Sequence, residues 1–542
     1  MIRINNIILD IDEDEENIRK RAAKKLKISE KDFEKFKILR ESIDARRKNT
    51  IKFNYSVEVK CKNEDRIISK IHGRDAFIEK DKPKEKFQFG HEKLKSRPVV
   101  IGMGPCGMFA ALTLAQNGYA PIVIERGENV DDRTKTVDNF WKTGELNTES
   151  NVQFGEGGAG TFSDGKLTTR IKDSRCGLVL DEFVSCGAPE EITYSGKPHI
   201  GTDILKKVVK NIRKKIINLG GEIIFNSRLE DIIVKNNAIC AVVVNGEEIP
   251  AECVILAVGH SSRDTYEMLY KKGVFLEPKP FAIGVRIEHP REFINESQYG
   301  KYKDHPRLKA ADYRLSHTTK DKRGVYSFCM CPGGAVVASS SEQERLVCNG
   351  MSNYRRDMEN SNAAIVVTVK EDDFKNAIGL YNKDISDKNP LIGMEFQRYY
   401  EHLAYLNGGG NYNAPIQLVG DFMKDTVSTK IGGVKPSYTP GYKFAALSKC
   451  LPSYVISSLK EGMIDFDKKI TGFMYNDAVM TGIETRTSAP VKIVRGENLE
   501  SISLQGLYPS GEGAGFAGGI ISAAVDGIKS AESIMKKYKI NI

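Results

Sequence analysis

RPVVIGMGPCGMFAALTLAQNGYAPIVIERG, residues 97–127, decides the fold of this chain. PVVIG is a short apolar run with the length and composition of a buried strand. PCGMFAALTLAQN follows as a helix, with Pro105 at its first turn and Gly118 just past its end. APIVIER is a second buried strand. The three glycines of GMGPCG each have a separate task. Gly102 lets the chain turn tightly out of the strand, Gly104 lets backbone approach a pyrophosphate, and Gly107 lets helix and strand pack closely. The helix opening at Pro105 and Cys106 offers free N–H groups and the positive end of its dipole to phosphates. Glu125 ends the second strand, 23 residues after Gly102, followed by Arg126. A carboxylate there accepts hydrogen bonds from ribose hydroxyls and repels a 2′-phosphate, which favours FAD or NAD over NADP.

Working outward, 542 residues are too many for one core, and the sequence divides into four stretches. Residues 1–95 read as a small α/β unit. IRINNIILDI alternates like a strand, DEDEENIRKRAAKKLKI reads as a helix, Ser29 and Asp32 make a capping box, and two further strands flank RRKNT. A charged stretch, residues 79–97, reads as a linker. Residues 96–270 hold the nucleotide fingerprint and then a meander, LEDIIVKNNAICAVVVNGEEIP, leading into the buried strand VILAVG. Residues 271–495 mix strand-like and helical pieces, as an inserted α+β domain would. Residues 496–542 return to the nucleotide-binding unit.

No apolar run approaches the roughly 18 residues of a membrane helix, and the N-terminus carries no secretory signal, so the expected compartment is the cytoplasm. The ten cysteines are scattered without a CxxC pair or histidines at zinc spacing, so neither a metal site nor a disulfide framework is expected. Residues 1–96 hold 26 basic and 19 acidic residues, most of the chain's net +9. That excess fits either a solvated surface of interleaved charge or a nucleic-acid-facing module.

Two further glycine-rich pieces, FGEGGAGTFSDGKL and LYPSGEGAGFAGGI, complete a resemblance. With GMGPCGMFAA, IER and VILAVG, they make the sequence similar to glutathione-reductase-type FAD proteins. With GHSSRD and FCMCPGG, they make it similar, over nearly its whole length, to a bacterial family of uncharacterised FAD-dependent dehydrogenases. The resemblance implies an α/β fold: a Rossmann-type FAD-binding domain assembled from separated segments, an inserted α+β substrate domain and a small N-terminal α/β domain. It places Gly158, Gly160, Thr161 and Lys166 beside the cofactor, Leu229 and Gly259 on its binding strands, and Gly511 and Glu512 at its ribityl–phosphate region. Many relatives carry Asp at the position of Glu512. Gly518, Gly519 and Ile520 would open a last helix, about residues 518–537, toward the flavin. A helix N-terminus there stabilises the negative charge of reduced flavin.

No second GxGxxG follows a strand, so no separate NADH or NADPH domain is expected and any nicotinamide would visit transiently. The implied activity is hydride transfer between a small-molecule substrate and FAD. A non-enzymatic redox-sensing flavoprotein and a flavin-dependent RNA-modifying enzyme stand as alternatives. The catalytic residues are not written in the sequence. Cys329 and Cys331 would share one side of a strand, as a redox pair, a nucleophile or two small core residues. His260 could approach the flavin or simply end a strand, and Lys166 could stabilise its reduced form or be solvated. Arg286, His289, Arg355 and Arg356 could bind an acidic substrate or serve in salt bridges.

Overall fold

The structure, a computed structural model, describes residues 1–71, 73–79, 87–381 and 385–540. Part of the expected linker, residues 80–86, lies outside the described residues. The rest of that stretch is not a free tether. Gly90 N–H donates to Met535 O, and Glu92–Lys93 pairs in parallel with Tyr538–Lys539 at the end of the chain. A Cβ on Gly90 would meet the Lys537 carbonyl carbon at 2.1 Å, so only glycine passes there.

The N-terminal unit is a four-stranded antiparallel sheet in the order Lys35–Asp44, Lys52–Lys60, Ile2–Asp10, Ala76–Ile78, with the helix Glu16–Leu26 packed against it. The alternation of the first strand is broken once. The register slips between Ile4 and Ile7, where Asn6 takes φ +56°, and the extra residue re-phases the strand. Ile2 and Ile4 before the bulge and Ile7 and Leu9 after it therefore all face the core. Several of the interleaved charges pair within the unit, as in Lys25–Asp75 and Arg21–Glu13. Arg307 joins this unit to the rest. It stacks over Phe53 at 4.1 Å and donates to Ile11 O and Glu13 O.

A five-stranded parallel sheet forms the second unit, in the order Leu507–Pro509, Val254–Leu256, Val99–Ile101, Ile122–Ile124, Glu222–Ile224. Two of its neighbouring strands are thus about 250 residues apart in sequence. The helix Pro105–Gln116 and the last helix, Ile520–Lys537, pack against each other beside it. A Cβ on Gly527 would lie 2.0 Å from Cys106 O, and one on Gly107 would lie 1.8 Å from Gly102 O. These two glycines set how closely the helices and strand approach. The meander Leu229–Pro250 projects from this unit before the chain returns to Val254.

The third unit is a seven-stranded sheet, ordered Ser316–Thr318, Gly324–Cys331, Asn360–Val369, Phe281–Pro290, Val479–Glu484, Ala414–Leu418, Tyr442–Phe444. All its pairings are antiparallel except the last. The helices Ile392–Gly408 and Ser453–Lys469 pack into its core, where Ile283, Val325, Ile365 and Phe396 are fully buried. A two-stranded ribbon, Leu276–Pro278 against Val491–Ile493, ties the chain's entry into this unit to its exit.

Candidate functional site

A cavity of about 390 Å³ lies where the carboxyl ends of the parallel strands meet the seven-stranded sheet. Gly102, at φ +94°, turns the chain out of its strand. A Cβ there would meet Ala257 O at 2.5 Å. Gly104 caps the helix that starts at Pro105. Opposite it, Gly158 takes φ +60°, and a Cβ on Gly158 would come within 3.0 Å of Gly104 Cα. Two bare backbone segments thus pack against each other in the cavity wall, closer than side chains would allow. Gly104, Pro105, Cys106, Gly158 and Gly160 all line the cavity.

Glu125 is buried at one end. Its Oε2 accepts from Met103 N–H at 2.7 Å, and its Oε1 accepts from the N–H groups of Gly127 (3.0 Å) and Gly155 (2.9 Å). A carboxylate oxygen has two acceptor sites, so Oε2 keeps one for a hydroxyl ligand. Arg126 lies alongside, stacked 4.2 Å from the centre of Phe154 and paired with Glu149 and Asp264. Leu229 and Gly259 line the same cavity.

At the far end, Gly518, Gly519 and Ile520 open the last helix onto the cavity. Glu512 faces the cavity rather than bulk water, and burial pushes its carboxyl up to about 7 against the pull of Lys279. Lys166 Nζ is shielded from solvent. It lies 3.1 Å from Asp164 Oδ2 as an ion pair but makes no hydrogen bond. Asp164 is itself held by Arg356 at 2.6 Å. Lys166 and Arg356 together overcome burial and bring it down to about 2. His260 lines the cavity with Nδ1 2.9 Å from Ser261 Oγ. Burial, with Arg486 and Arg263 nearby, lowers it to about 3, so the ring is neutral at ordinary pH.

Three of the expected cofactor residues do not line this cavity. Gly107 turns toward Gly102 O. Gly511 is packed on the Cys106 side chain and donates its N–H to Asp526. Thr161 is fully buried, its hydroxyl donating to Glu156 O. The four residues offered for an acidic substrate also lie elsewhere. Arg286 is buried against Glu484 and Asn362, His289 is buried against Phe473, Arg356 is committed to Asp164, and Arg355 is exposed outside the cavity. Cys329 lines the cavity, with Cys331 buried beside it. The strand bulges between Phe328 and Cys331, so simple alternation does not describe the pair.

The structure adds residues that no local motif marks. Arg133, fully buried on the helix Val130–Thr143, donates to the carbonyls of Asn151, Val152, Glu156 and Gly158 and so shapes the loop facing Gly104. Arg486 reaches the cavity from the end of a strand in the third unit. Its partner Glu401 is shared with Arg263 at 2.8 Å. This buried cluster crosses between the parallel-sheet unit and the seven-stranded one. Among the described residues there is no group of three or more metal-ligating side chains, and no helix is long and apolar enough to cross a membrane.

Fold and cavity together define a mixed α/β protein with a glycine-lined cavity at the carboxyl ends of its parallel strands. Residues 280–487 match a family model described as an FAD-dependent protein, C-terminal domain-like, and residues 1–60 match a domain of unknown function. An uncharacterised protein of Clostridium beijerinckii is 60% identical over 538 residues, covering 99% of both chains, and the present chain belongs to the same family. Glycine oxidase from Bacillus cereus aligns over 82% of this chain and 98% of its own, at 10% identity and a TM-score of 0.32. L-Proline dehydrogenase from P. horikoshii aligns over 83% and 96%, at 14% identity and 0.34.

Proposed function

We propose that this protein is an FAD-dependent oxidoreductase that moves a hydride equivalent between a small-molecule substrate and flavin. One observation carries the reading. Two glycine-opened helix N-termini, at Gly104 and Gly519, face a single cavity that has a buried carboxylate, Glu125, at one end. The FAD-dependent family match over residues 280–487 supports it.

The residues present fit FAD. The bare backbone at Gly104 and Gly158 on the cavity wall lets a pyrophosphate approach the helix N-terminus, and Glu125 keeps an acceptor for a ribose hydroxyl. The shielded Lys166 Nζ, paired with Asp164 but making no hydrogen bond, offers a cation at the far end. In this reading the parallel-sheet unit is the FAD-binding domain, built from separated segments, and the seven-stranded unit carries the substrate side. When bound, FAD supplies the two-electron chemistry. The chain's own groups orient it and set the charge around it. The amides at Gly519–Ile520 and Lys166 favour negative charge, neutral His260 offers only hydrogen bonds, and Glu512, half-protonated near pH 7, can donate one.

The test is the visible spectrum of the purified protein, before and after anaerobic addition of NADH or NADPH, with the released flavin identified. Bound FAD is expected. Bleaching by a nicotinamide would define the reductant, and persistence of the bands would assign reduction to the substrate. A protein that takes up no flavin even after FAD is added contradicts the proposal.

A further inference from the structure

The strand Gly324–Cys331 does not run straight past the cavity. Its pairing with Asn360–Val369 slips between Phe328 and Cys331, and Cys329 sits in the slip at φ +43°. A non-glycine residue holds that conformation only where its surroundings impose it. Here two donors fix the Cys329 carbonyl: Arg286 Nη2 at 2.8 Å and Cys331 Sγ at 3.3 Å. The kink leaves Cys329 on the cavity wall and Cys331 fully buried behind it, with the Cys331 thiol turned back onto Cys329.

The charges around this pair favour a thiolate. Facing Cys329 are Lys166 from the Gly158–Thr168 loop and Arg286 from the neighbouring strand. The acids within range are Asp164, Glu484 and Glu512. Asp164 is occupied by Arg356, Glu484 by Arg286, and Glu512 is pushed toward its neutral form. Lys166 Nζ shares Asp164 as an ion pair at 3.1 Å but has no hydrogen-bond acceptor. A thiolate on Cys329 would give it one.

We propose that Cys329 and Cys331 are a redox-active dithiol that cycles with a disulfide and exchanges two electrons with the flavin of the proposed function. The electron partner rests on that reading; the dithiol does not. In the oxidising direction the Cys329 thiolate and the Cys331 thiol form one Sγ–Sγ bond as the Cys331 S–H bond breaks. Two electrons and that one proton pass to oxidised isoalloxazine, which becomes the reduced anion. In the reverse direction the S–S bond takes up two electrons and a proton and opens to thiolate and thiol. The neighbouring Cys331 thiol and the two cations outweigh burial and hold Cys329 below the ordinary thiol range, which favours the reactive thiolate.

The experiment uses the full-length protein in two arms. In the first, reduced protein is treated with diamide, acid-quenched, alkylated with iodoacetamide and digested. A Cys329–Cys331 disulfide is expected, 2 Da lighter than the dithiol peptide and unalkylated. Both cysteines fully alkylated would overturn the proposal, whether or not flavin is bound. The second arm is anaerobic dithionite titration of pre-oxidised, flavin-loaded protein. Two two-electron equivalents per flavin are expected for the wild type and one for Cys331→Ala, with Cys329→Ser as a second variant should that one not fold. One equivalent for wild type and variant alike would overturn the flavin coupling. A protein that forms the disulfide but binds no flavin would instead sink the proposed function and leave the dithiol standing. In unoxidised protein, Cys329 alkylation should rise with pH around a midpoint below the ordinary thiol range. Lys166→Met should slow it about tenfold at pH 6. A midpoint in the ordinary thiol range, unmoved by that change, would contradict the thiolate.

Discussion

The two ends of the cavity are built from different materials. At the Glu125 end the chain presents backbone: the amides of Met103, Gly127 and Gly155 on one carboxylate, and the bare wall where Gly104 and Gly158 meet. At the other end it presents titratable side chains packed together, with Lys166, Cys329, Glu484, Arg486 and Glu512 drawn from four separate segments. Backbone geometry is fixed by the fold and indifferent to pH, which suits holding a constant group. Buried ionisable groups change charge with small changes in surroundings, which suits a reacting group. Under the proposed function, this division puts binding at one end and chemistry at the other.

The sharpest way to break this comparison is through the cluster that braces the chemical end. Glu401 is fully buried between Arg263 and Arg486, which hold it ionised against the cost of burial. Glu401→Ala leaves two buried guanidinium groups without their shared partner and should destabilise the protein by about 3–5 kcal/mol, read by denaturant unfolding. A loss below about 1 kcal/mol would show that the cluster is not what couples the two sheets. Next comes the backbone end. Gly527→Ala puts a Cβ 2.0 Å from Cys106 O, where the obstacle is main chain and cannot swing aside. We expect about 1–3 kcal/mol of destabilisation together with weaker FAD binding, because the helix that moves is the one opening at Pro105. Unchanged affinity would separate helix packing from the cradle.

Glu125→Ala should cost about 1–3 kcal/mol of FAD binding, roughly 5- to 150-fold in Kd, with reduction by dithionite of whatever flavin binds left unaltered. An altered reduction would blur the division between the two ends. The smallest effect is a pH dependence. Glu512, raised in the folded protein to about 7 from the ordinary carboxylate range, takes up a proton on folding. Its contribution to stability is complete below the unfolded value near 4.5 and is lost as pH rises through 7. The Tm of flavin-free protein should therefore fall from pH 5 to pH 8 by a few degrees, and Glu512→Gln should flatten that slope. A wild-type Tm that rises over this range would contradict the assignment.

The same division explains what could be read in advance. The Gly102–Glu125 unit is contiguous, and each of its parts has a local signature, so strand, turn, helix and acid are legible in thirty letters. The last helix is legible because apolar periodicity follows its glycines. The bulges at Asn6 and Cys329 are not, since each depends on what a neighbouring strand demands of the register. Arg133 and Glu401 look like surface charges on amphipathic helices. Their burial follows from where loop carbonyls and distant arginines arrive in three dimensions. Thr161 shows the converse. It stands in a glycine-rich loop that faces the cavity, but its own turn points inward to Glu156 O.

The most direct test of the central claim is an equilibrium titration of flavin-free protein with FAD, FMN and riboflavin, followed by flavin fluorescence. A cavity anchored at its Glu125 end predicts one FAD per chain, bound far more tightly than either shorter flavin, with the difference largely lost in Glu125→Ala. Equal affinity for FAD and FMN, or no saturable FAD binding, would contradict it.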